Sequence, residues 1–280
     1  MKTFLLASAA LMALSIGGNA VQAADMPVKY VKPVPVFSWS GCYTGVQVGY
    51  KWGESQHTST GLWNGIPSTN NTAGYDITPW FDVNGAVGGV EAGCQVQWGN
   101  WVWGVEVDGS WSAAEGQAAH IIYPGLRFFD NWTSKTSERW LVTARGRLGY
   151  AWDKWLWYVT GGGAWTGLDV TVNNIPATIR AFPTQAEIQS QTRGGWVVGY
   201  GTEYALTGGW SVKAESLYAD FGTFRSHDRV DAIFCNSRTN CSGRDVRLHE
   251  WVWRVGMNYR FDVGKGVGKG VGKYPVVAKY

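Results

Sequence analysis

Taking every second residue of 42–53, CYTGVQVGYKWG, separates two unlike sets. One is Cys42, Thr44, Val46, Val48, Tyr50 and Trp52; the other is Tyr43, Gly45, Gln47, Gly49, Lys51 and Gly53. A period of two belongs to a β-strand, whose side chains point alternately to opposite faces. The division recurs near 82–98, 101–112, 140–152, 155–166, 194–206, 210–221 and 250–261. In 101–112, Trp101, Trp103, Val105, Val107 and Trp111 oppose Gly104, Glu106, Asp108, Ser110 and Ser112. A chain patterned this way must give each face its own environment: one for large apolar rings, one for glycine and charge.

The segments predict eight strands of about a dozen residues each. Their connections alternate in length. Short turns fall at Gly99-Asn100, Asp153-Lys154 and Thr207-Gly208-Gly209, in hairpin chemistry. Long polar stretches fall at 54–81, 113–139, 167–193 and 222–246. One end of the sheet is trimmed and the other elaborated.

A soluble eight-stranded barrel would turn the apolar face inward. Three features favour the inverted arrangement. Glycine shares a face with charge, and a narrow interior holds small side chains. Trp and Tyr gather at strand ends on the apolar face, as in two interfacial girdles. Ten-residue crossings with unequal loops match tilted membrane strands. In lipid an open sheet edge has no water to satisfy it, so the last strand must pair with the first. The expected fold is all-β: an eight-stranded antiparallel transmembrane β-barrel.

The 38 Gly and 18 Trp of this 280-residue chain suit such a sheet. Charge is nearly balanced, with 24 Lys/Arg against 21 Asp/Glu, and no concentrated basic face argues for nucleic acid. The start reads as an export signal: Lys2, an apolar run over 4–18, and a small-residue site at Val21-Gln22-Ala23, with cleavage expected after Ala23. Residues 24–40, with Pro27, Pro33 and Pro35, are expected as an extended linker before a barrel over 41–261. Residues 262–280 carry a Val-Gly-Lys-Gly repeat that cannot build a core and are expected as a tail.

Together, 39–53, 101–111, 144–165, 195–222 and 254–261 (RVGMNYRF) resemble the small eight-stranded barrels of alphaproteobacterial outer membranes, the surface-antigen or opacity-like porin family. The resemblance spans nearly all of 39–261. It implies a surface-exposed barrel with both termini in the periplasm, short periplasmic turns and long extracellular loops. Relatives are described as pores, haem binders or surface antigens, so the resemblance carries the fold and not one activity. In the family the terminal strand ending in an aromatic resembles the signal read by the barrel-assembly machinery; here that implies Val255, Met257, Tyr259 and Phe261. The chain departs from the family where Cys42 and Cys94 replace aromatics, and where it continues past Phe261.

The inward face carries Glu91, Glu106, Asp108, Glu203, Glu215 and Glu250 against Lys51, Arg145, Arg147, Lys213, Arg254 and Arg260. Counted from the trimmed end, Glu106 stands level with Arg147 and Asp108 with Arg145. The set is either a charged pore lining or a satisfied polar core; eight strands leave an interior that side chains fill, and unpaired charge there is costly. The pair Glu106 and Asp108 could suggest acid–base catalysis, but a plugged interior admits no substrate. His57, His120, His227 and His249 are scattered; His57 and Ser59 share a face but fall in an expected loop. No enzyme, cofactor or metal site is expected.

Cys235 and Cys241 are expected to form a local disulfide in the last long loop, with metal binding the alternative. Cys42 and Cys94 share a face near the trimmed ends of neighbouring strands, where a cross-strand disulfide competes with two separate thiols. The expected partners are outer-membrane lipid and the barrel-assembly machinery, with peptidoglycan and extracellular loop ligands as further candidates. Three functions stay open: a structural or surface-interaction barrel, a small porin-like channel, and a haem-type receptor acting through its loops.

Overall fold

A computed structural model describes residues 37–59, 76–121, 133–173, 185–226 and 244–261. They form one closed sheet of eight antiparallel strands: β1 (Gly41–Ser59), β2 (Phe81–Trp98), β3 (Trp101–Ala119), β4 (Thr133–Trp152), β5 (Trp155–Asn173), β6 (Gln185–Ala205), β7 (Trp210–Ser226) and β8 (Arg244–Phe261). Each strand pairs with its sequence neighbours. β8 closes on β1 in a ladder running from Cys42 opposite Phe261 to Ser59 opposite Arg244. The expected fold class is borne out.

The faces are inverted relative to a soluble barrel. On β1, Val46 and Val48 are 61% and 63% exposed, whereas Lys51 is fully buried. Aromatic residues line up in rows at two heights. Near the short turns, Trp98 lies opposite Trp101 and Trp152 opposite Trp155. Farther up, Trp111 lies opposite Trp140, and Trp52 opposite Trp251. Valines such as Val90, Val105, Val159, Val198 and Val255 occupy the band between.

The strands run 17 to 21 residues, longer than the sequence pattern suggested. At about 3.3 Å per residue and a tilt near 40°, that is roughly 48 Å of height, against an apolar band of roughly 25 Å. Residues 54–59, 113–119, 133–139 and 167–173, expected as loop, are strand. Above the upper aromatic row β1 and β4 are polar on both faces, so alternation of hydrophobicity fades there while the hydrogen-bonded ladder continues. Register shifts at Trp111/Ala114, Glu138/Trp140 and Asp220/Thr223 mark that level. Such irregularities bend a strand and re-aim its side chains.

The short turns have the expected backbone. Gly99, Gly208 and Gly209 adopt φ of 62°, 69° and 86°, and Asp153 adopts 53°.

Candidate functional site: the barrel interior

The lumen is filled, and its centre is an ion-pair network. The Arg145 guanidinium on β4 reaches Glu106 at 2.5 Å, Asp108 at 2.9 Å and Glu215 at 3.1 Å. Arg147, two residues along on the same face, bridges Glu106 at 3.0 Å and Glu203 at 2.9 Å. Arg254 on β8 grips Asp108 at 2.5 Å and also pairs with Glu215. The Lys213 ammonium pairs with Glu91 and lies 3.4 Å from Glu106 and 3.5 Å from Glu215. These nine side chains are at most 2% exposed.

Neutral groups add further hydrogen bonds to these carboxylates. The Tyr43 hydroxyl donates to Glu106 at 2.6 Å, Tyr158 to Glu215 at 3.2 Å, Ser211 to Glu203 at 2.5 Å, and Thr143 to Asp108. The Arg147 guanidinium lies 3.8 Å from the centroid of the Tyr158 ring and 5.6 Å from that of Tyr43. Cation–π contact of this kind strengthens when water is excluded. Two glycines make the room. A Cβ at Gly93 would fall 2.5 Å from the Tyr43 hydroxyl, and one at Gly201 would fall 2.4 Å from that of Tyr158.

The level matching expected between β3 and β4 is corrected. Glu106 stands across from Arg145, Asp108 across from Thr143, and Arg147 across from Gly104. Counting from the short turns placed Trp101 level with Trp152, but the ladder places it opposite Tyr150. Neighbouring strands of a closed barrel are staggered by its shear, and a count along one strand carries no information on that offset. Long guanidinium arms still connect Arg147 to Glu106 and Arg145 to Asp108.

Lys51 and Glu250 stand apart from this network. The Lys51 ammonium lies 2.9 Å from Glu250 and also pairs with Glu138; Thr166 donates to Glu138 at 2.6 Å. Glu138 was missed because it sits in a stretch expected as loop. The alternation Ser134, Thr136, Glu138, all buried, was the available signal. Beside this triad lies an inward apolar layer, including Leu141, Leu168, Leu217, Leu248 and Val252, which the sequence pattern did not suggest.

The turn end is stoppered. Trp39, expected within a linker, is fully buried among Val102, Ala151, Leu156, Tyr158 and Ala205. Its amide donates to the Gln97 side chain at 2.7 Å, and its carbonyl accepts from Gln95 at 2.9 Å. Arg260 lies over the Trp39 ring at 4.4 Å and donates to the Ser38 carbonyl at 3.1 Å. It reaches Glu203 only at 4.0 Å, so it belongs to the stopper more than to the network.

His57 is not in a loop. It faces the lumen on β1, with Nε2 3.1 Å from the Thr136 hydroxyl, and its ring meets Phe81 edge-on. His120 lies 2.8 Å from the Ser134 hydroxyl. His227, Cys235 and Cys241 lie outside the described residues. Cys42 and Cys94 face each other across β1 and β2 and form a disulfide. Glu91, Glu106 and Glu215 converge closely enough to suggest a cation site, but the Lys213 ammonium contacts all three. The chain supplies its own cation there.

The sequence profile of the outer membrane protein beta-barrel domain matches residues 8–261. The chain belongs to that family. It is 33% identical over 264 residues to the 31 kDa outer-membrane immunogenic protein of Brucella melitensis, spanning 93% of this chain and 100% of the relative. It is 26% identical over 268 residues to the 25 kDa outer-membrane immunogenic protein of the same organism, spanning 93% and 99%. Among solved structures, OprG of Pseudomonas aeruginosa matches with a TM-score of 0.47 at 15% identity, covering 80% of this chain and 97% of that one. This outer-membrane barrel therefore sits in the cell outer membrane. Its short turns mark the periplasmic end and its long connections the outside. The disulfide and the Trp39 stopper are then periplasmic features, and Lys51, His57 and His120 lie toward the cell surface.

Proposed function

We propose that this outer-membrane barrel is a non-enzymatic envelope protein that spans the bilayer as a solid post and displays its extracellular connections. The observation that carries this reading is the filled lumen: a periplasmic Trp39 stopper, a paired ionic layer, and an apolar layer above it. A diffusion pore needs a water-filled path, and eight strands enclose little more than their own side chains. The acidic residues that could serve acid–base chemistry, Glu106 and Asp108, are each held by Lys or Arg. Purified barrel reconstituted in planar bilayers is expected to be electrically silent. Reproducible single-channel steps from protein that is folded, as judged by heat-modifiable gel mobility, would overturn the reading in favour of a small porin-like channel.

Assembly depends on the closing ladder. Phe261 lies opposite Cys42 at the β8–β1 seam and faces outward with Tyr259, Met257 and Val255. Recognition of this edge by the barrel-assembly machinery fits its position. Deleting 262–280 should leave folded barrel in the outer membrane, whereas Phe261→Ala should lower its amount. A truncation that fails to reach the membrane would assign the signal to the tail.

A further inference from the structure

The lipid-facing wall is not uniform. Read across the sheet in register, Val48, Val255, Ala214 and Thr202 form one continuous row over β1, β8, β7 and β6. Two cavities of 610 and 440 Å³ meet along this row and share these four residues. The row is therefore the floor of a single oblique groove. Met257 and Tyr204 stand on its periplasmic side, and Trp157 closes it on β5. On its outer side Trp253 and Tyr200 flank Ser216, which lies between them in register. Crossing five strands at about 4.8 Å spacing, the groove is about 19 Å long, the length of an extended acyl chain.

Two polar atoms sit in it without partners. The Ser216 hydroxyl and the Thr202 hydroxyl are both buried, and neither makes a hydrogen bond. Ser216 as a whole is 3% exposed. Both side chains point outward, because Glu215 and Leu217, and Gly201 and Glu203, point in. Outward hydroxyls elsewhere need not be idle: Thr44 donates to the Glu91 carbonyl at 3.1 Å. A buried polar group without a partner in an apolar surround is destabilising. Thr202 faces Ala214 across β6–β7 and Ser216 is one step farther along β7, so the two hydroxyls are diagonal neighbours able to serve one polar group.

We propose that this groove binds an apolar chain from the membrane that carries an oxygen function partway along its length, such as a mid-chain hydroxylated acyl chain. The groove opens onto the lipid belt, so its occupant arrives from the bilayer. A plain hydrocarbon would fill the volume but leave both hydroxyls unpaired. A second barrel is a poorer occupant, since a convex protein wall cannot reach a serine set between the Trp253 and Tyr200 rings. The groove's walls include Trp155, Trp157 and Trp253, which report occupancy by fluorescence.

The full chain in phosphatidylcholine nanodiscs, with its tryptophans quenched by dibromostearate, is titrated with 10-hydroxystearate and with stearate. The hydroxylated chain should relieve quenching at about five- to tenfold lower concentration, the size expected for a hydrogen bond. In Thr202→Val/Ser216→Ala, which keeps the shape of the groove, the two acids should become equivalent. Equal displacement of the quencher by both acids on the wild-type barrel overturns the proposal. So does a preference that survives the double substitution. Efficient disulfide cross-linking of Ser216→Cys between copies in the nanodisc would assign the groove to a second barrel instead.

Discussion

The lumen holds two charge clusters built on different plans. In the periplasmic half, four cations and five carboxylates interlock, and Glu106 alone meets Arg145, Arg147 and Lys213. Toward the surface, Lys51 stands alone between Glu138 and Glu250. The first cluster is cross-linked, drawing on β2, β3, β4, β6, β7 and β8; the second is one ammonium holding two acids. The comparison teaches where the barrel is held across its bore. Both Arg145 and Lys51 tie three strands, but the guanidinium offers several donors in a rigid fork and holds three carboxylates where the ammonium on its flexible stem holds two.

Substitutions should separate the two plans. Arg145→Met leaves three buried carboxylates short of a partner and should cost the most, about 4 kcal/mol, as breaking buried pairs does. Urea unfolding in lipid vesicles, followed by gel mobility of the unboiled protein, measures it. A loss below 1 kcal/mol would show the network to be redundant.

Lys51→Met should cost about 3 kcal/mol on the same assay. Adding Glu138→Met and Glu250→Met should restore most of that loss, since an apolar trio can join the neighbouring leucine layer. The same replacement of Arg145 together with Glu106, Asp108 and Glu215 should not recover, because the hydroxyls of Tyr43, Tyr158 and Thr143 would lose their acceptors. Equal recovery in both clusters would erase the distinction.

Gly201→Ala is the smallest of the three, about 2 kcal/mol. Its methyl group must displace the Tyr158 hydroxyl and with it the ring under Arg147. Paired with Tyr158→Leu, which removes both the hydroxyl and the ring carbon 2.5 Å from the added methyl, it should become milder; an unchanged cost would place the strain against the Ala214 carbonyl on β7, 2.8 Å from the same position.

Within the membrane band the strands and their faces were legible in the residues. Val46, Val48 and Tyr50 on one side and Gly49 and Lys51 on the other leave no choice of period, and the aromatic rows mark where the band stops. Beyond the upper row legibility failed. His57 and Glu138 sit on strand extensions polar on both faces, so hydrophobic alternation no longer distinguishes strand from loop. Trp39 was hidden differently. It follows a proline-rich stretch and precedes the first alternating residue, and nothing local marks it as a stopper. The candidate site was read as a set of charges on the inner face, and Glu106 does meet Arg147 and Asp108 does meet Arg145, but their levels were read wrongly by one step of stagger between β3 and β4.

The sequence by itself determined that this chain closes into a membrane barrel with glycine and charge inside and tryptophan outside. Those consequences follow from a period of two and from the cost of leaving backbone groups unpaired in lipid. Only the tertiary structure decided which carboxylate meets which guanidinium, that Trp39 seals the periplasmic mouth, and that Thr202 and Ser216 line a groove on the outer wall. Each depends on the shear of the closed sheet and on residues brought level from strands far apart in the chain, and local pattern carries neither.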